Sequence, residues 1–231
     1  MNIADKILQN QDRDGMLRRS LERIIQLYTD KSHFVYELLQ NAEDAGATGI
    51  RFVQYSDRLE VMHDGKSFTT ENLQGLCDIG QSDKVNDLNQ IGEFGVGFKS
   101  VFGICEPVRL YSSPRKKELA ENCHPFAVEI TDFTKPVDIL AVDVPAGYTT
   151  LFVFPYSVGF QFSGFKNLAA LNEAITKRLK NLGVTTLLFM RHLELIEYEI
   201  KIPGKEASGE YLLDAEPIND HCTRVSAIES E

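Results

Sequence analysis

The chain has 231 residues, with 34 Asp and Glu against 24 Lys and Arg and a formal net charge of -10 at pH 7. That length holds one large domain or two small ones, and 43% hydrophobic with 25% charged residues is ordinary for a globular protein. The acidic balance argues against a broad basic surface and hence against nucleic acid as a partner of this domain, while a phosphate ligand would need backbone amides or local positive potential.

The opening residues MNIADKILQNQDRDG mix both charge signs and carry no apolar core, so they do not read as a signal peptide. No window approaches the roughly 18 apolar residues of a membrane span, and no membrane partner is expected. Cys77, Cys105, Cys123 and Cys222 form no C-x-x-C pair, which reads as reduced thiols of a cytoplasmic protein. Cys123-His124 lacks the second pair that a zinc site requires.

In chain order, Leu17, Leu21, Ile24, Ile25 and Tyr28 recur at helical spacing and predict an amphipathic helix over Met16–Tyr28. Ser32 is expected to cap a second helix running to about Ala45, with Gly46 as its stop. Gly49–Tyr55 and Arg58–Met62 read as strands joined by a Ser56-Asp57 turn, and Thr70–Leu76 as a short helix. Asp78–Asn89 is polar and aperiodic and reads as a mobile loop; Ile91–Phe102 reads as a glycine-spaced loop entering a helix. Strands are predicted at Val108–Ser112, Pro125–Ile130, Thr149–Phe154, Thr185–Met190 and Glu194–Ile200, with an amphipathic helix at Lys166–Leu182. This order predicts an α+β layer in a single domain over residues 1–231, core about 15–200: one mixed sheet with helices on a face.

Four constellations carry chemistry. On the second helix Glu37, Asn41 and Asp44 share one stripe, which is either a solvated polar face or a functional one. His63-Asp64-Gly65-Lys66-Ser67-Phe68-Thr69 follows a strand; Asp64 either makes a turn or offers a carboxylate to a donor such as an adenine amino group. Gly92-Glu-Phe-Gly95-Val-Gly97-Phe-Lys99-Ser100 has three glycines spaced to expose backbone amides toward one point, so it can hold phosphate with little net positive charge. Its order differs from G-x-G-x-x-G, and Phe98 separates Gly97 from Lys99, which excludes a P-loop. Gly147-Tyr-Thr149-Thr150 enters an apolar strand, where β-branched residues also follow from propensity alone.

Together and in this order, the four segments resemble the nucleotide site of the GHKL superfamily of ATPases (gyrase, heat-shock chaperone, histidine kinase, MutL). Glu37-x-x-x-Asn41-x-x-Asp44-Ala45 is similar to the family's N-box, and Ile91–Phe98 to its second glycine box, in the form of the heat-shock chaperones. Glu37–Thr48, His63–Thr69 and Ile79–Lys84 look more like the sacsin-like branch. The resemblance covers about Ser20 to Pro155. It implies the Bergerat fold, a two-layer α/β sandwich whose mostly antiparallel mixed sheet is covered on one face by helices.

It also implies roles. Glu37 would be the general base for the attacking water, and Asn41 would coordinate Mg²⁺ bridging the phosphates of ATP. Asp44 and Ala45 would line the nucleotide pocket, and Asp64 would accept from the adenine amino group, with Gly65, Phe68 and Thr150 at that end. Gly92, Phe94, Gly95, Val96, Gly97 and Phe98 would wrap the phosphates, the amides from Gly95 to Phe98 holding them. Ser82 and Lys84 would belong to a lid. Lys99 would touch a phosphate or project to solvent. The chain departs from the family's D-x-G-x-G in that Gly65 adjoins Asp64 and Phe68 replaces the second glycine; the sacsin-like branch shares this form.

The function implied is Mg²⁺-dependent ATP binding with slow hydrolysis to ADP, lid closure, and signalling to other domains of a longer chain or to a second protomer. Slow turnover is expected because no cation for the γ-phosphate is evident apart from remote Arg191. The alternative is a nucleotide-sensing or interaction module with little turnover; chaperone and cellular-defence settings are both compatible. The chain is expected to be the N-terminal part of a longer protein. A histidine kinase is disfavoured, because only His33 lies upstream of the N-box as a phospho-acceptor.

Overall fold

The structure of the chain, a computed structural model, describes residues 32–77, 97–119, 123–131, 135–157, 165–219 and 222–230. The helices are α1 (Phe34–Asp44), α2 (Thr70–Cys77), α3 (Lys116–Leu119) and α4 (Leu168–Lys180), with 3₁₀ turns at Phe98–Gly103 and Val184–Phe189. The strands are β1 (Gly49–Tyr55), β2 (Arg58–His63), β3 (Val108–Ser112), β4 (Phe126–Thr131) and β5 (Lys135–Asp138). They continue with β6 (Thr150–Pro155), β7 (Leu195–Lys201), β8 (Ala207–Asn219) and β9 (Cys222–Ser230). They form one nine-stranded sheet in the order β5-β4-β3-β6-β2-β1-β7-β8-β9. Only β1–β7 is parallel, so the sheet is mixed and the chain is α+β.

Alternation along the strands sorts the two faces. Ile50, Phe52, Leu59, Val61, Phe152 and Phe154 point to the face covered by helices, where they meet Leu38, Leu39 and Ala42 of α1 and Leu171, Ile175 and Leu179 of α4. The other face carries a smaller cluster, Val53, Met62, Tyr111, Leu151 and Val153, packed by Ile139, Val144 and Tyr148. Burying a Leu or Phe side chain of this kind contributes about 1.5–3 kcal/mol. Among the described residues no helix is long and apolar enough to cross a membrane.

Gly46 ends α1 as expected: at φ 66 it donates to the Glu43 carbonyl while Ala47 donates to that of Ala42, a Schellman closure. Ser32 is not the cap. The helix starts at Phe34 after His33, and Ser32 Oγ instead accepts from Arg178 Nε of α4 at 2.9 Å, tying the two covering helices together. The predicted strand at 185–190 is a 3₁₀ turn, because both edges of β7 are already occupied by β1 and β8. The sheet also runs beyond the expected limit near residue 200. Tyr211 of β8 is fully buried and its hydroxyl donates to the Leu179 carbonyl at 2.9 Å. The helix predicted at 16–28 and the loop at 78–89 lie outside the described residues.

Glu43, which the sequence did not single out, fastens α1 to the start of β7. Its carboxylate accepts from the amides of Arg191, His192 and Leu193 at 2.8–3.0 Å and contacts His192 Nδ1 at 2.8 Å. Burial pushes this carboxyl up, but the three amides and the imidazole outweigh it and hold it below its usual value. Glu43→Ala orphans those amides and should lower stability by about 2–3 kcal/mol, read as a lower urea midpoint at unchanged m. A midpoint equal to the parent's would show that the clamp contributes nothing.

Candidate functional site

The sequence of α1 puts Phe34, Leu38, Leu39 and Ala42 into the core and leaves Glu37, Asn41 and Asp44 on the flank. Glu37 is the residue the structure places most sharply. Its carboxylate lies directly against Gly97, so closely that a Cβ on Gly97 would fall inside it. Glu37 Oε1 is also 3.3 Å from His33 Nε2, one turn earlier. Asn41 and Asp44 are half-buried further along the same stripe. Burial, and then the neighbouring Glu43 charge, raise the Asp44 carboxyl above its usual value.

Gly97 opens the 3₁₀ turn Phe98–Gly103, in place of the predicted helix. A short 3₁₀ turn supplies a weaker aligned dipole than an α-helix, so anion holding here depends on glycine amides. Phe98 points into the core against Phe152 and Phe154, leaving only its backbone for a ligand. Lys99 fits neither expectation. It is 1% exposed, and its Nζ donates to the Leu76 carbonyl at 2.5 Å, joining the 3₁₀ turn to the end of α2. Gly92, Phe94, Gly95 and Val96, with Ser82 and Lys84, lie outside the described residues.

At the other end of α1 the His63–Phe68 segment folds under Ala45. Lys66 N donates to the Ala45 carbonyl at 2.8 Å, and a Cβ on Gly65 would stand 2.8 Å from that oxygen and 3.0 Å from Ala47 N. Only glycine fits there, since the obstacles are backbone. Asp64 is already engaged: Oδ1 accepts from Thr48 N (2.8 Å) and Gly49 N (2.9 Å), and Oδ2 from Thr48 Oγ1 (2.5 Å). Burial pushes its carboxyl up, and the Thr48 hydroxyl with the Gly49 and Thr48 amides brings it below the usual value. Asp64 thus laces the end of β2 to the start of β1, and its own carbonyl accepts from Arg115 Nη2.

Phe68 is 8% exposed and packs edge-on against Phe152 as part of the core. Thr149, which the sequence paired with Thr150 at the strand start, holds the turn by donating to the Gly65 carbonyl at 2.6 Å. Thr150 is fully buried on the helix-covered face, with no partner for Oγ1. Its cross-strand neighbour His63 is in the same state: Nδ1 accepts from Gly65 N at 3.2 Å, and Nε2 has no partner. Burial pushes His63 down from 6.5 to about 4, against the opposing pull of Asp64.

A separate shallow depression of about 380 Å³ lies on the opposite face, lined by Arg51, Glu197, Glu199 and Glu210. Its arginine is paired with Glu199 at 2.8 Å, and the remaining lining charge is acidic, which suits an anionic ligand poorly.

Comparison with known proteins agrees with the sacsin-like character of the first half. Residues 15–117 match the Sacsin domain. The chain is 35% identical to Protein NO VEIN of Arabidopsis thaliana over 109 residues, 45% of this chain and 4% of that protein. It is 29% identical to Sacsin of Homo sapiens over 133 residues, 48% of this chain and 3% of that protein. The chain therefore spans only a small part of the curated relatives it matches. In fold it resembles the crystal structure of the N-terminal domain of a DNA repair protein, with TM-score 0.57 at 17% identity, covering 83% of this chain and 54% of that one. The chain is thus an α+β domain whose first half is sacsin-like.

Two glycines make a paired test. Gly65→Ala drives Cβ into backbone and should cost about 1–3 kcal/mol. Gly97→Ala meets only the end of the Glu37 side chain, which can swing aside, and should cost well under about 1 kcal/mol. Equal losses in thermal denaturation would contradict this geometry.

His63 gives a pH signature. Its folded value lies below the unfolded one, so the proton prefers the unfolded chain. Its contribution to stability is complete above about pH 6.5 and is lost as pH falls toward about 4, amounting to about 2 kcal/mol by pH 5. His63→Gln should flatten the stability profile between pH 6.5 and 5; an unchanged slope would place the titration elsewhere.

Proposed function

We propose that this chain is an ATP-binding domain of the GHKL type, with the Bergerat arrangement of helices on a mixed sheet, in which Mg²⁺-ATP lies between α1 and the glycine segment ending at Gly97. The observation that carries this reading is the opposition of the Glu37 carboxylate and Gly97, with Asn41 and Asp44 following on the same flank. The sacsin-like sequence of residues 15–117 and the α+β fold support it.

Each residue then has a task set by its chemistry. Glu37 sits where it can orient water near a terminal phosphate and take its proton; His33, 3.3 Å away, steadies the carboxylate. Asn41 fits the metal. Its half-buried side-chain oxygen is the kind of hard ligand that would hold Mg²⁺. When bound, Mg²⁺ would supply positive charge that neutralises the phosphates. Backbone amides around Gly97 hold anionic oxygen without adding charge, which an acidic chain requires. Ala45 and Gly65 form a close-packed floor on which a planar base can lie. The bound state would be passed to other domains of a longer protein, with Ser82 and Lys84 assigned to a lid by the family resemblance.

A ligand that binds only the folded chain stabilises it by about 2.7 kcal/mol at one hundred times its dissociation constant. Mg²⁺-ATP and Mg²⁺-ADP should therefore raise the melting midpoint, and inorganic phosphate at the same concentration should not. No shift with any nucleotide would overturn the assignment. Glu37→Ala should keep the ATP-dependent shift and abolish the slow release of phosphate. If parent and variant release phosphate equally, the domain senses nucleotide without hydrolysing it.

A further inference from the structure

The proposed phosphate end of the site is short of positive charge. Glu37 brings a carboxylate against Gly97 and Asp44 follows on the same flank of α1, in a chain of net charge -10. Backbone amides carry only partial charge, whereas the phosphates of a nucleotide carry full ones. One cationic side chain does lie inside this layer. Lys99 is two residues beyond Gly97 and 1% exposed, and lysine is among the residues least often buried so deeply.

The turn that carries it is fixed from three directions. The Phe98 ring packs in the core against Phe152 and Phe154. Ser100 N and Ser100 Oγ both donate to the Gly97 carbonyl, at 3.0 and 2.6 Å, and engage it within the turn. Lys99 Nζ donates to the Leu76 carbonyl at 2.5 Å. Leu76 lies in the last turn of α2, where carbonyls lack helical partners and the aligned dipoles favour a cation. By the same geometry the first N–H groups of Phe98–Gly103 have no acceptor inside that turn and are left for a ligand. Behind those amides stands an ammonium shielded from water. A charge so placed is screened far less than one on the surface.

We propose that Lys99 is a positioning residue of the phosphate end: without touching the nucleotide, its buried ammonium offsets the Glu37 carboxylate and makes affinity rise with the number of phosphates. The proposal rests on the ATP-binding reading above. It adds that preference for a polyphosphate is set from behind the turn, through the core, instead of by a cation in contact with the ligand.

Varying charge and hydrogen bond separately tests this. Affinities of the parent chain, Lys99→Met, Lys99→Gln and Lys99→Arg for adenosine, Mg²⁺-ADP and Mg²⁺-ATP are measured by calorimetric titration. A unit charge about 10 Å from a phosphate, at an effective dielectric constant near about 20, changes affinity about tenfold. Lys99→Met keeps the length and removes the charge. It should weaken Mg²⁺-ATP about tenfold, weaken Mg²⁺-ADP less, and leave adenosine unchanged. Lys99→Gln keeps an N–H donor for the Leu76 carbonyl but no charge, and should lose as much. Lys99→Arg keeps the charge and should recover most of the loss. A lysine that only ties the turn to α2 would give another order, with Lys99→Gln binding Mg²⁺-ATP like the parent. That result, or adenosine and Mg²⁺-ATP weakened by one common factor, overturns the proposal and leaves the ATP-binding reading standing. Should Lys99→Met fail to fold, the comparison of Lys99→Gln with Lys99→Arg decides. If the parent binds none of the three ligands, both readings fall.

Discussion

Helix α1 must satisfy two neighbours at once, and the rest of the structure follows from how it does so. Its apolar residues Phe34, Leu38, Leu39 and Ala42 bury it on the sheet, which fixes the rotation of the helix about its own axis. That rotation turns Glu37 toward Gly97, where only a residue without a side chain leaves room for the carboxylate. The Glu43 clamp on residues 191–193 and the Schellman closure at Gly46 then hold the helix at its far end. A helix free to roll by even one residue would lose the opposition of acid and glycine on which the proposed site depends.

The buried polar groups of this layer fall into two sets. Glu43, Gln54, Ser112 and Thr149 are spent on structure. Gln54, for example, joins β1 to α4 by donating to the Asn172 carbonyl at 2.9 Å and accepting from Thr176 at 2.9 Å. His63 Nε2, Thr150 Oγ1 and Tyr156 Oη have no partner among the described residues. Unpaired buried groups cost stability.

What could be read in advance follows from the range over which each signal acts. Period-two and period-3.6 patterns are local, so β1, β2, β3, β7 and both long helices were legible within a residue or two. Val184–Phe189 carries the same apolar content as a strand, but a strand needs a free edge beside it, and only the assembled sheet reveals that β8 has taken the place. Glu37, Asn41 and Asp44 were legible as one stripe because helix geometry dictates it. The burial of Phe68 and Lys99 was not legible, because a motif records residue type and order, whereas burial depends on chain distant in sequence. The spacing around Asp64 suggested either a turn or a ligand contact; its carboxylate bonds to Thr48 and Gly49, across to the neighbouring strand, were not legible from it. His63, its neighbour, gave no sequence signal beyond its place at the strand end.

The central claim is that a nucleotide lies along α1 from Glu37 to Ala45. Amide chemical-shift mapping of the isotope-labelled chain, titrated with Mg²⁺ and a non-hydrolysable ATP analogue, tests it most directly. The account predicts the largest perturbations at Glu37, Asn41, Ala45, Gly65 and Gly97, in one saturating transition. Perturbations confined to the Arg51–Glu210 depression on the opposite face, or none at all, would contradict it.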